Sequence, residues 1–265
     1  MCYPPGARPP EVPPDLLPPM TGGAGGQDAT LTSTDGTKFR TYLASASSGD
    51  AGVVIAPDVR GLHAFYEELA ERFASAGVHA IAFDYFGRTG GIERRADDFE
   101  YMPHVRQTTP KTVFADIAAS RAHLEKETKA RRTFVLGFCF GGRDSFLAAT
   151  LDLGLAGVIG FYGSPVGPGR GGSPEPVALA DRIESPVLGL FGGADHAIPP
   201  EAIASFEAAL AQLGVDHRLV IYPGAPHSFF DRKAADYAEA SEQAWAEVLA
   251  FIDGHRKSAK PNVKA

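Results

Sequence analysis

Arg131-Arg132-Thr133-Phe134-Val135-Leu136-Gly137-Phe138-Cys139-Phe140-Gly141-Gly142 is the stretch on which the reading of this chain turns. A short apolar run rich in β-branched and aromatic residues breaks at Gly137 and reaches a single cysteine. It then passes through Gly141 and Gly142 into Arg143-Asp144-Ser145-Phe146-Leu147-Ala148-Ala149-Thr150, which reads as a helix. Glycines two residues before and two after a nucleophilic side chain mark a sharp strand-to-helix turn, here with Cys where Ser is more common. In such a turn the nucleophile is held in a strained conformation at the helix N-terminus, and a side chain at 137 or 141 would collide with the neighbouring strand or helix. Backbone N–H groups and the helix dipole at that place favour a thiolate and, later, an oxyanion. The alternative is a buried structural cysteine between glycines, and the rest of the chain separates the two.

With 265 residues and 44% hydrophobic content, the chain is long enough for one large core, and a single domain is expected. A formal net charge of −7 and the absence of any Lys/Arg run longer than a pair argue against a nucleic-acid partner. No stretch approaches the ~18 consecutive apolar residues of a membrane span. Two cysteines, Cys2 and Cys139, make no disulfide framework, so a reducing cytoplasm is the expected compartment. Residues 1–27 are dominated by proline and glycine and lack the charged start and apolar core of a secretory signal; an extended arm, in part polyproline II, is expected there. The domain is expected over 28–256, with a frayed Lys-rich tail over 257–265.

Segments 29–33 and 38–44 alternate around a turn containing Asp35-Gly36, which predicts a hairpin. Buried-strand runs follow at 51–56, 78–83, 157–162, 185–191 and 217–222, interleaved with helices predicted at 64–76, 110–127, 201–213 and 234–252. Strand-helix-strand units of this kind imply an α/β fold with a mostly parallel sheet and helices on both faces. Arg94-Arg95-Ala96-Asp97-Asp98-Phe99-Glu100 reads as a polar surface loop, and the glycine-rich segment 163–172 as a flexible wall of the crevice. That segment lacks the Gly-Lys-Ser/Thr and the helix start of a phosphate-binding turn.

Functional groups in such sheets gather beyond the carboxyl ends of the strands, where the loops face a crevice. The rule nominates Asp58, Arg60 and Arg88, each of which would otherwise be a solvated loop charge or a helix cap. It also places Cys139, Asp195 and His227, in that order, each just past a buried strand. This is the nucleophile-acid-histidine order of the α/β-hydrolase fold. Asp195 would hold the His227 ring in one tautomer, and His227 would act as general base and acid for Cys139. His196 is too close to Asp195 in sequence to be its partner and is read as structural or rim. The His, Cys and acidic residues show no zinc-type spacing, and neither a metal nor another cofactor is expected.

Gly-Phe-Cys-Phe-Gly-Gly at 137–142, Gly-Gly-Ala-Asp-His-Ala-Ile-Pro-Pro at 192–200 and Pro-His-Ser-Phe-Phe-Asp at 226–231 resemble the dienelactone hydrolase (carboxymethylenebutenolidase) family, from about Val53 to the end of the last helix. The resemblance implies that Cys139, Asp195 and His227 form the catalytic triad. It implies that Asp58 stands where the family often has a Glu that helps ionise the cysteine, one methylene longer than Asp. Phe140 and Val59 would supply the N–H pair of the oxyanion hole, and Arg88 would bind a substrate carboxylate. The family's second carboxylate-binding arginine falls near Asp231, with Arg232 one step on, so Arg60 is the further candidate to join Arg88. The implied activity is hydrolysis of an activated ester or lactone through a thioester on Cys139, by a monomer or homodimer acting on a small molecule. Two alternatives stay open: a carboxylesterase or acyltransferase of broad specificity on the same fold, and a non-catalytic small-molecule-binding protein.

Overall fold

The computed structural model describes residues 25–96, 98–231 and 233–256; Cys2, the proline-rich arm to residue 24, Arg232 and the tail from 257 lie outside the described residues. Eight strands among these residues form one sheet: β1 (Gly26–Thr32), β2 (Lys38–Ala44), β3 (Ala51–Ala56), β4 (His79–Phe83), β5 (Arg132–Phe138), β6 (Gly157–Phe161), β7 (Val187–Gly192) and β8 (His217–Tyr222), in the spatial order β1-β2-β4-β3-β5-β6-β7-β8. The hairpin β1-β2 is antiparallel and joins β4 antiparallel; every pairing from β4 to β8 is parallel. β1 starts at Gly26, inside the segment expected to be an arm, because Gly26 pairs with Ala44 across the hairpin.

Burial follows position in the sheet. β3, β4, β6 and β7 are buried at every residue and carry continuous Val, Ile, Leu, Ala and Phe runs, as strands covered on both faces must. The edge strands β1 and β8 are largely exposed or half-buried. Among the described residues, seven α-helices flank the sheet: α1 (Ala64–Ser75), α2 (Gly87–Gly90), α3 (Met102–Val105), α4 (Pro110–Glu127), α5 (Phe140–Ala148), α6 (Pro200–Gln212) and α7 (Ala238–Arg256). α1 and α7 meet through Phe73 and Trp245, whose ring centroids lie 4.7 Å apart, while α5 packs against α4 and, through Phe146 and Phe206, against α6. α4 starts with a reciprocal cap: Thr109 and Thr112 each bond the other's backbone N–H, with Pro110 at the first helical position.

Three local expectations are corrected. The last helix begins at Ala238 rather than Ala234, because the N–H groups of Asp236 and Tyr237 both turn back to the Lys233 carbonyl. Arg95 is not a surface residue: it is buried, its Nε donates to Asp84 at 2.6 Å, and its guanidinium covers the Phe99 ring. The wall at 163–174 is tied down by Arg143, as described below. Among the described residues, no helix is long and apolar enough to cross a membrane.

Candidate active site

Cys139 lies between the end of β5 and the first residue of α5, with φ 54° and ψ −106°. The strain is imposed by close packing. A Cβ at Gly137 would lie 1.9 Å from the Gly141 carbonyl oxygen, and one at Gly141 would lie 2.3 Å from that of Ala56. The Cys139 N–H donates to the Phe161 carbonyl of the adjacent strand, and the Cys139 carbonyl accepts from Arg143 N–H, so the residue is held from both directions. Its side chain is half-buried. Among the described residues, Cys139, Tyr162 and Ser228 are the non-glycine residues with positive φ, and the last two are a ring neighbour of His227 and the residue that follows it.

Asp195 follows β7 and His227 follows β8, strands that are direct neighbours. His227 Nδ1 lies 2.6 Å from Asp195 Oδ2, and the Cys139 side chain is near enough to influence the ring's pKa. Asp195 is buried, and its second oxygen, Oδ1, accepts the Ala197 N–H at 2.9 Å. Burial by itself would push the His227 pKa down; the hydrogen bond to Asp195 and the nearby Cys139 side chain outweigh it and push it up to about 10. The Tyr162 ring backs the imidazole at 4.9 Å between centroids, with Asp231 beside its hydroxyl. His196 is exposed.

The loop after β3 carries Asp58, Val59 and Arg60. Asp58 is buried, and its Oδ1 accepts the Arg60 N–H at 2.9 Å, while its carbonyl accepts the Gly61 N–H at 3.1 Å. The Asp58 N–H donates to the Tyr66 hydroxyl at 2.9 Å. Val59 is thus the one residue of 58–61 whose N–H has no acceptor among the described residues. The N–H of Phe140, first in α5, is likewise beyond the reach of any helical carbonyl. Arg60 is half-buried and stands near His63, whose pKa is pushed down to about 3, first by burial and then by the Arg60 charge.

Arg88 is placed differently from the open clamp that the resemblance implied. Its Nε donates to Asp35 at 2.7 Å, Nη1 and Nη2 form a fork on Asp116 at 2.7 and 3.0 Å, and Nη2 also reaches Ser33 Oγ at 3.0 Å. The guanidinium ties the hairpin turn to α4, and these ion pairs raise its pKa against the opposing effect of burial. Asp231, near the position of the second expected arginine, is fully buried.

Residues that the sequence left unmarked complete the site. Arg143, one turn into α5, donates to the carbonyls of Ser164, Val166, Gly167, Ser173 and Pro174 at 2.8 to 3.2 Å, which fastens the glycine-rich wall to the helix that follows Cys139. Tyr85 donates from its hydroxyl to the Pro57 carbonyl at 2.5 Å. A basic residue among the buried positions of α5 was the one available signal for Arg143; Tyr85 and Tyr66 look like ordinary core aromatics in sequence.

Known proteins match along nearly the whole domain. The sequence model of the dienelactone hydrolase family fits residues 39–255. A Salmonella typhimurium protein named "Putative carboxymethylenebutenolidase" is 30% identical over 237 residues, covering 87% of this chain and 88% of that one. A Yersinia pestis protein of the same name is 29% identical, covering 79% and 80%. The crystal structure of a protein from Klebsiella pneumoniae subsp. pneumoniae, described as "Putative Dienelactone Hydrolase", superposes with a TM-score of 0.74 at 28% identity, over 86% of this chain and 98% of that one. Strand order, the sharp turn at Cys139 and these matches agree: the chain belongs to the dienelactone hydrolase family, within the α/β hydrolases.

Proposed function

We propose that the protein hydrolyses an activated ester or lactone through a cysteine nucleophile, with Cys139, His227 and Asp195 as its catalytic triad. The observation that carries this reading is the position of His227, hydrogen-bonded to Asp195 through Nδ1 and close enough to Cys139 for that side chain to raise the ring's pKa. The raised pKa of the ring favours an imidazolium, the form that can donate a proton to a leaving group.

In the first half-reaction the Cys139 sulfur attacks the carbonyl carbon, and the carbonyl π electrons move onto oxygen. The N–H groups of Val59 and Phe140 receive that oxyanion. The adduct collapses, the C–O bond to the leaving group breaks, and the imidazolium of His227 gives its proton to the departing enolate or alkoxide. In the second half-reaction neutral His227 takes a proton from water as the water oxygen attacks the thioester. The C–S bond breaks, the acid departs, and the thiolate-imidazolium pair is restored. Asp195 keeps its hydrogen bond to Nδ1 throughout and stabilises the charged ring. Asp58 is the proposed neighbour that favours ionisation of the cysteine, and Arg60 the proposed cation at the substrate side of the loop.

A specific observation favours the broader carboxylesterase reading over a carboxylate-bearing dienelactone: the Arg88 guanidinium is already occupied by Asp35, Asp116 and Ser33. Turnover of cis-dienelactone, p-nitrophenyl acetate and p-nitrophenyl butyrate by wild type, Cys139→Ala and Arg60→Ala distinguishes the two. Cysteine-dependent hydrolysis of the neutral esters, with a trapped adduct on Cys139 detected by mass spectrometry, is the expected result. Turnover that survives Cys139→Ala would overturn the proposal. Dienelactone cleavage that requires Arg60 would restore the carboxylate substrate.

A further inference from the structure

The two proposed oxyanion donors lie on separate segments, Val59 after β3 and Phe140 at the start of α5, so their alignment depends on what joins the segments. Two buried tyrosines supply the join. Tyr85 is 3% exposed and its hydroxyl donates to the Pro57 carbonyl, one peptide before Asp58. The same hydroxyl lies against the other segment: a Cβ built on Gly141 would stand 2.5 Å from it, and the Phe140 ring meets the Tyr85 ring edge-on at 5.2 Å. Tyr66 is fully buried, and its hydroxyl accepts the Asp58 N–H from the other side of the same peptide. The peptide between Pro57 and Asp58 is therefore held at its carbonyl by one tyrosine and at its N–H by the other. With Arg60 N–H and Gly61 N–H turned back onto Asp58, the Val59 N–H is the donor that this clamp leaves pointing elsewhere.

We propose that Tyr85 and Tyr66 are positioning residues of the oxyanion hole, clamping the Pro57–Asp58 peptide so that the Val59 N–H is held in register with the Phe140 N–H. The proposal rests on the reading of Val59 and Phe140 as the oxyanion donors. Neither tyrosine is assigned contact with substrate; each acts through the backbone. Losing one anchor leaves a buried peptide group unpaired and frees the loop to shift, and displacements of about 1 Å in such sites cost up to roughly 100-fold in rate.

The test uses Tyr85→Phe and Tyr66→Phe, which delete only the hydroxyls. With p-nitrophenyl acetate, kcat should fall roughly 10- to 100-fold while KM stays within about threefold. Affinity for an aryl trifluoromethyl ketone should fall by a similar factor. The Cys139 sulfur adds to the carbonyl carbon of that ketone with no leaving group, and the resulting oxyanion occupies the hole. Alkylation of Cys139 by iodoacetamide should stay within about twofold, because the sulfur and His227 are untouched; a variant damaged throughout the site would lose this as well. Unchanged kcat and ketone affinity in the folded variants would overturn the proposal, as would a loss of alkylation in step with kcat. If Tyr85→Phe does not fold, the same readings on Tyr66→Phe decide. A wild type whose turnover equals that of Cys139→Ala sinks the underlying functional reading instead, and that control tells the two failures apart.

Discussion

His227 Nδ1 stands 2.6 Å from Asp195 Oδ2, and the two residues are carried at the ends of adjacent parallel strands, β8 and β7. Parallel pairing puts both strand ends on the same edge of the sheet, and the pairing of Gly192 with Tyr222 sets the loops that follow side by side. Asp195 is buried and rigidly bonded, so its carboxylate is a fixed charge and not a mobile surface group. Replacement by Asn removes that charge and keeps the shape. Because burial is the largest influence on the ring and acts downward, the His227 pKa should drop well below about 10 once Asp195 is neutral. Ester turnover by Asp195→Asn should fall roughly 10²- to 10⁴-fold, with the acidic limb of the pH-rate profile displaced. A variant that keeps both the rate and the profile would show that Asp195 does not orient the ring.

The same shift makes a prediction about folding. The His227 pKa is raised from 6.5 unfolded to about 10 folded, so the folded state holds the proton more tightly. Its contribution to stability is fully present below pH 6.5 and is lost as pH rises through about 10. Urea midpoints of wild type and His227→Gln, measured from pH 6 to pH 10.5, should therefore converge as the pH is raised. A gap that widens with pH would contradict the assignment.

Much of this architecture was legible because central parallel strands are covered on both faces. β3, β4, β6 and β7 had to be near-continuous apolar runs, and each ends at a loop whose residues then fall on one edge of the sheet. The features that escaped are contacts with no periodic trace. Arg95 sits in a run of charges that looks solvated, yet its partner Asp84 lies eleven residues away on the end of another element. The acceptors of Arg143 are main-chain carbonyls, which any sequence possesses. The late start of α7 was hidden because Ala234 and Ala235 favour a helix, while the turn onto the Lys233 carbonyl that delays it is set by the path of the chain after His227.

Arg143 gives the glycine-rich wall its order. Burial holds its pKa down, with Asp144 and Glu175 acting the other way, and its bonds go to carbonyls of the segment from Ser164 to Pro174. Arg143→Met keeps the aliphatic stem and removes every one of those donors. The variant should lose about 3 kcal/mol of stability, since hydrogen bonds from a charged group contribute roughly 1.5–3 kcal/mol each and do not add. KM for p-nitrophenyl butyrate should rise about tenfold, and limited proteolysis should cut within 164–174. Resistance to cleavage equal to that of wild type would mean that the wall is held by something other than this guanidinium.

Asp144, the next residue, is the buried charge for which the proposed reaction has no use. It is 2% exposed, its Oδ2 has no hydrogen-bond partner among the described residues, and burial pushes its pKa up to about 7 despite the nearby Arg143 charge. The other titratable group facing it is Tyr85, whose own pKa is raised first by burial and then by Asp144. A carboxyl that binds its proton more tightly when folded lowers stability as pH climbs from 3.8 through about 7. Asp144→Asn abolishes this titration and keeps the volume. The variant should match wild type near pH 4 and exceed it above pH 7, with an upper bound on the order of 4 kcal/mol from the size of the shift. The comparison needs only urea midpoints at pH 4.5, 6 and 8. A constant difference at all three would show that Asp144 does not change its charge over that range in the folded protein. A deficit at pH 8 would show that the ionised carboxylate has a stabilising partner, with Arg143 the nearest candidate.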